Sequence, residues 1–246
     1  LGIPPEMRLE GAAGEWRQAL EAEDFTLVTV FAAFSGESYA DIPTVRRTVG
    51  FVPPESRAAR LARMLEVSDF AAELGAGSIA CHIGCIPEDP DEPDYFEVVD
   101  VVRRIADHAG RRGQTFALET GQESARVLLR FIQDVARANL RVNFDPANMV
   151  LYGAGDPVEA FRLLAPYVVS VHAKDGDWPP SERPGALGQE RPLGEGAVGI
   201  ERFVKALREA GYRGTLNIER EIDDPEQKWR DIAADARLLR SLVLSR

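Results

Sequence analysis

Three features of this 246-residue sequence predict an α/β fold of the (β/α)8 barrel type. Short apolar strands alternate with amphipathic helices, the pattern of a parallel sheet with right-handed crossovers. Along the later strands one face is small or polar and the other apolar. Four strands also end on a chelating residue: Glu119, Asp145, His172 and Glu219, separated by 26, 27 and 47 residues. The first two spacings fit one strand, one helix and two loops, and the third is such a unit enlarged by a Gly/Pro-rich insertion.

The elements follow in order. Leu1–Glu10 reads as loop and residues 12–22 as a helix. Phe25–Phe34 is the first clear strand. A helix over 57–74 starts at Ser56 and stops at Gly75. Strand Gly77–Ile86, helix 95–112 with Gly113 behind it, strand Thr115–Gly121 and helix 123–138 come next. Strand Leu140–Pro146 precedes a helix over 156–165 that opens on Asp156–Pro157. Strand Val168–Asp175, helix 200–210 before Gly211, strand Gly214–Glu221 and helix 225–243 complete the chain. This makes six strands where a complete barrel has eight. The first strand–helix–strand unit is therefore expected to be absent from this chain; an open six-stranded sheet or an unorthodox start are the alternatives. No linker or low-complexity tract interrupts 1–246, which is expected to be a single domain.

Residue parity argues for a barrel. Thr115 and Ala117 share the face of Glu119, Arg141 and Asn143 that of Asp145, Ser170 and Lys174 that of His172, and Thr215 and Asn217 that of Glu219. The opposite face holds Phe116, Leu118, Val142, Phe144, Val169, Val171, Leu216 and Ile218. In a barrel the helices cover the apolar face and the polar face turns to the lumen.

Composition narrows the class. Hydrophobic content of 45% and charged content of 28% suit a soluble globular protein, and the length is ample for one large core. No apolar run approaches the ~20 residues of a membrane span. The net charge of −11 disfavours nucleic acid as a partner. Two cysteines, Cys81 and Cys85, make no disulfide framework, and a cytoplasmic location is expected. A leader may precede Leu1 in the full protein, since the chain does not begin with Met.

Three carboxylates and an imidazole suit a hard or borderline divalent ion, with Mn²⁺ expected and Mg²⁺, Co²⁺ or Zn²⁺ as alternatives. Such an ion polarises a sugar carbonyl and stabilises the enediolate formed when the neighbouring C–H proton leaves. Glu119 and Glu219 are then the candidate acid/base pair, and Asp145 and His172 mainly ligands.

The runs FALETG, NFDPANM, SVHAKD, PLGEG and GYRGTLNIERE resemble the xylose isomerase-like TIM barrel superfamily of sugar phosphate isomerases and epimerases. The resemblance covers about Phe25 to Glu221. It implies that Glu119, Asp145, His172 and Glu219 bind metal and that the first and last exchange the proton. One position departs from it: many relatives carry His three residues after the metal Asp, where it helps bind substrate, and here that residue is Asn148. The DNA-repair branch fits worse, because it needs more His ligands than His82, His108 and His172 supply.

Other residues carry weaker signals. His82, with the parity of Ala80 and Gly84, is a candidate substrate contact or a buried hydrogen-bonded His. Asn148, Lys174 and Trp178 are the other candidate substrate contacts; for Lys174 the alternative is a salt bridge to Asp175 or Glu195. His108 reads as a surface residue. Cys81 and Cys85 lie about 13 Å apart along a strand, too far to share an ion. Glu221 has the parity of Glu219 and competes with it as ligand. The loops 35–55, with Tyr39, Arg46, Arg47 and Phe51, and 175–199, with Trp178, are expected to shape the site. The expected function is a divalent-metal-dependent isomerase or epimerase of a small sugar or keto-sugar. A metal-dependent sugar lyase or dehydratase, or a non-catalytic carbohydrate-binding subunit, are the alternatives. A small sugar is the expected partner, without nucleic acid or membrane, and homo-oligomers are compatible with it.

Overall fold

The computed structural model describes residues 1–244. In chain order the elements are β1 (Gly2–Ile3), α1 (Ala13–Ala22), β2 (Val30–Ala32), α2 (Ile42–Thr48), α3 (Pro54–Glu73), β3 (Ser78–His82), α4 (Pro93–Gly110), β4 (Thr115–Glu119), α5 (Ala125–Val135) and β5 (Leu140–Phe144). They continue with α6 (Pro146–Leu151), α7 (Pro157–Leu164), β6 (Val168–Ala173), β7 (Asp175–Gly176), β8 (Glu190–Arg191), α8 (Ile200–Glu209), β9 (Thr215–Ile218) and α9 (Pro225–Leu244). The main sheet has seven strands in the order β1-β2-β3-β4-β5-β6-β9, and β7 and β8 form a separate antiparallel pair. No helix among the described residues is long and apolar enough to cross a membrane.

The sheet therefore holds one strand more than the six read from sequence. Gly2–Ile3, expected to be loop, pairs in parallel with Phe31–Ala32. Two residues are too few to show alternation, so period-2 patterning could not reveal them. The strand expected over Phe25–Phe34 is confined to Val30–Ala32. Two short helices, α2 and α6, lie inside stretches read as loop.

Helix ends follow local chemistry. α3 begins at Pro54, where the missing N–H costs nothing, and Ser56, expected to open it, sits in its first turn. Asp156 caps α7 as expected, its Oδ1 accepting from Val158 N and Glu159 N. α5 stops at Val135 because Ala136 takes a left-handed conformation at φ 53°.

By contact density the chain forms two compact units, neither continuous in sequence. One comprises Leu1–Tyr39, Pro43–Glu119 and Arg130–Arg141; the other comprises residues 40–42, 120–129 and the chain from Val142 onward. In the first, Met64, Val67, Val98, Val102, Ile105, Ile79, Phe116 and Phe131 are fully buried. His108, expected at the surface, instead ties α4 to α3 through Asp69, 2.7 Å away, which Arg112 also engages.

In the second unit the core is aromatic. Phe144 stacks on Phe203, and Phe161 meets both edge-on at 5.6 Å, with Tyr212 beyond it. These rings lock the strand end that carries Asp145 against α7 and α8. Phe161→Ala should lower the unfolding free energy by about 3–5 kcal/mol, read as an earlier urea midpoint.

Candidate metal centre

Asp145 illustrates how the backbone aims a ligand. It follows β5 directly and is the N-cap of α6. Its Oδ1 accepts from Asn148 N at 3.0 Å, which fixes the carboxylate plane. Its backbone N–H donates to Thr120 Oγ1, and Thr120 Oγ1 donates to its carbonyl. The other oxygen, Oδ2, is buried with no hydrogen-bond partner. One oxygen thus holds the residue and the other is left to coordinate.

His172 is oriented by a relay. Ser170 Oγ lies 2.5 Å from Asn143 Oδ1, and Asn143 Nδ2 lies 3.0 Å from His172 Nε2. With Nε2 engaged, Nδ1 turns to Glu219 Oε2 at 2.6 Å and Asp145 Oδ2 at 3.7 Å. An amide Nδ2 can only donate, so Nε2 accepts here and the relay fixes the plane of the ring.

Glu219 follows β9, its backbone N–H donating to Ala173 O. The next residue, Arg220, staples this strand end. Its Nη1 donates to Glu190 Oε1 at 2.6 Å and its Nε to Asp231 Oδ2 at 2.8 Å. Glu190 also accepts from Glu221 N. Sequence reading missed this role; the signal was an Arg between two acidic residues at a strand end.

Glu119 ends β4 and is 2% exposed. His82 pairs with it in register, and His82 Nε2 is 3.8 Å from Glu119 Oε1. Phe31 and Tyr39 pack their rings against His82 at 5.4 and 5.6 Å.

Glu119, Asp145, His172 and Glu219 each offer a ligand atom within 4.8 Å of the others. The donor set is that expected of a divalent-ion site. Three carboxylates around an imidazole, with a buried carboxylate oxygen lacking a hydrogen bond, fit such an ion. The group includes Glu219 and not Glu221, whose side chain turns to Lys174 at 2.5 Å.

Lys174 is 3% exposed. Its ammonium also lies 3.6 Å from Glu219 Oε2 and 3.9 Å from Asp145 Oδ2. Burial works against its charge, but Asp145, Glu219 and Glu221 outweigh burial and hold its pKa well above the ordinary value. Asp175 and Glu195, the alternative partners, are not its ion pairs.

Asn148 is buried close to Gly121. Gly121 has φ 142°, and a Cβ there would come within 2.4 Å of Asn148 Cβ, so only glycine fits. Trp178 is 44% exposed in the segment between β7 and β8. Cys81 is buried and Cys85 partly so.

The loop after β6 is organised by Asp175. Its oxygens accept from the backbone N–H groups of Gly176, Gly194, Gly196 and Val198 at 2.8–3.1 Å. A Cβ on Gly196 would meet Asp175 Oδ1 at 2.3 Å, which explains the glycine of the PLGEG run.

The chain belongs to the xylose isomerase-like TIM barrel family, whose model matches residues 5–242. Among solved structures it resembles a xylose isomerase domain protein from Planctomyces limnophilus at 50% identity. The TM-score is 0.94, with 98% of this chain and 86% of that chain covered. It also resembles a D-psicose 3-epimerase determined in the presence of D-fructose, at 19% identity and TM-score 0.69, covering 98% of this chain and 86% of that one. A third is a xylose isomerase-like TIM barrel protein from Mycobacterium smegmatis in complex with magnesium, at 20% identity and TM-score 0.69, with 98% and 84% covered. No curated protein matches the chain.

Two measurements check this description. Asp175→Ala strands several backbone N–H groups; the expected result is a stability loss of about 3 kcal/mol or more and new protease cleavage between residues 177 and 199. Asp175→Asn should be milder. Glu123, in the turn after β4, has both oxygens buried without hydrogen-bond partners, and burial pushes its carboxyl up to about 8. Because this folded-state pKa lies above the ordinary 4.5, the fold loses stability as pH rises from about 4.5 toward about 8. Glu123→Gln should therefore match the wild type at pH 4 and exceed it at pH 8 in urea midpoint.

Proposed function

We propose that this protein is a divalent-metal-dependent isomerase or epimerase acting on a small sugar or keto-sugar. The observation that carries this reading is the group of three carboxylates and one imidazole at successive strand ends, with ligand atoms within 4.8 Å of one another. Family membership and the sugar 3-epimerase likeness support it. Glu119, Asp145, His172 and Glu219 would hold the ion. The ion's contribution when bound is to polarise the sugar carbonyl and lower the energy of the enediolate left by proton removal.

The protein's own groups do the rest. One of Glu119 and Glu219 takes the proton from the carbon beside the carbonyl, and the other returns a proton on the opposite face or at the adjacent carbon. Asp145 Oδ2 and His172 would face the ion, the carboxylate held by the α6 cap and the plane of the imidazole by the Asn143–Ser170 relay. His82, flanked by two aromatic rings and beside Glu119, is placed to donate to a sugar hydroxyl. Asn148 offers an amide for the same purpose and, unlike His, cannot carry a proton. Trp178 offers an exposed ring face for the sugar's C–H surface. Lys174, already turned to three carboxylates, acts electrostatically.

Glu119→Gln and Glu219→Gln should each reduce turnover at least ~10³-fold while the fold persists, and Mn²⁺ should raise the melting temperature of the wild type. Mass spectrometry of the product decides the reaction class. An unchanged mass fits isomerisation, whereas loss of water sinks it in favour of a dehydratase. Near-normal rates in either variant contradict the assigned roles.

A further inference from the structure

Lys174 stands between proposed ligands and a carboxylate outside their group. Its ammonium lies 2.5 Å from Glu221 Oε2, 3.6 Å from Glu219 Oε2 and 3.9 Å from Asp145 Oδ2. The latter two oxygens are the same atoms that face His172 Nδ1, at 2.6 and 3.7 Å. Asp145 and Glu219 are therefore shared between the ligand group and an ammonium, in the way that shared carboxylates stand between paired metal ions ~3.5–4 Å apart.

We infer that Lys174 is a built-in cation occupying the place of a second divalent ion, and that it restricts the centre to one metal per chain. The inference rests on the metal-dependent reading above and specifies how many ions that site takes.

Three observations support it. The side chain is 3% exposed, so water cannot easily replace its charge. Glu221 is held by a backbone hydrogen bond to Glu190, so a third carboxylate is already in place for whatever cation lies there. The charge count points the same way. Glu119, Asp145, Glu219 and Glu221 carry four negative charges when ionised; one divalent ion plus Lys174 supplies three positive charges, whereas two divalent ions beside Lys174 would supply five. The centre tolerates one uncompensated charge because Glu221 is 65% exposed on its side chain.

The consequence concerns positioning. A fixed ammonium leaves one ion to orient the substrate, and it holds the same Glu219 oxygen that the imidazole meets. Lys174 is thus a positioning residue that determines metal number.

The test is metal content of the purified full chain after equilibration with Mn²⁺ and removal of loose ion, by elemental analysis and by the electron paramagnetic resonance spectrum. Wild type should hold one Mn²⁺ with an isolated-ion spectrum. Lys174→Met should hold two, with the spin-coupled spectrum of an ion pair. The double variant Lys174→Met with Glu221→Gln should return to one. Lys174→Gln serves in the same way if the Met variant does not fold. A single ion in a folded Lys174 variant overturns the inference, and so does a wild type that takes up two ions in this cluster at millimolar Mn²⁺. Neither result touches the one-metal enzyme reading. No ion in any of the proteins overturns both.

Discussion

Negative charges crowded into a buried space set the terms for the rest of this fold. Asp145 and Glu219 share one imidazole and one ammonium within 4 Å. Two like charges at 4 Å repel by about 4 kcal/mol at the effective dielectric of a protein surface, and by more deeper inside. Such a group does not assemble by itself. Each acid is held by contacts that do not use its coordinating oxygen: Asp145 by the α6 cap, Glu219 by the Ala173 carbonyl and the Arg220 staple. Cations then offset what the scaffold imposes. Lys174 is one that the chain supplies, and the remaining donors are of the kind that could bind a divalent metal.

The scaffold's rigidity comes from ordinary packing. The rings of Phe144, Phe161 and Phe203 lie immediately behind the strand end that carries Asp145. The position of that aspartate is thus set by the packing of its strand as well as by its own hydrogen bonds.

What the sequence made legible follows from period and punctuation. Strands β4, β5, β6 and β9 have enough alternating residues to show which face each side chain takes, so the four chelating strand ends could be aligned before any coordinates. Helix ends marked by Asp156–Pro157 or by Gly75 and Gly211 were legible for the same local reason. Gly2–Ile3 was not, because a two-residue strand has no period. Asp175 and Arg220 were hidden for a different reason. Arg220 acts on side chains 11 and 30 residues away and Asp175 on backbone N–H groups up to 23 residues away, and neither leaves a pattern in sequence. Glu221 against Glu219 was ambiguous by parity; in three dimensions Glu219 lies in the four-residue group while Glu221 meets Lys174. Asn148 belongs here too. Its backbone N–H caps the Asp145 carboxylate whatever its side chain, so this position can differ among relatives without disturbing the ligand beside it.

The hub at Asp175 separates anchoring from recognition. Gly194, Gly196 and Val198 are tied to it, and before them Asp177 N–H donates to Gln189 O and Gly188 N–H to Leu151 O. The stretch from Trp178 to Glu182 hangs between these moorings like an interchangeable blade in a fixed handle. Changes in its length or composition would leave the Asp175 contacts, and the loop end they anchor, in place.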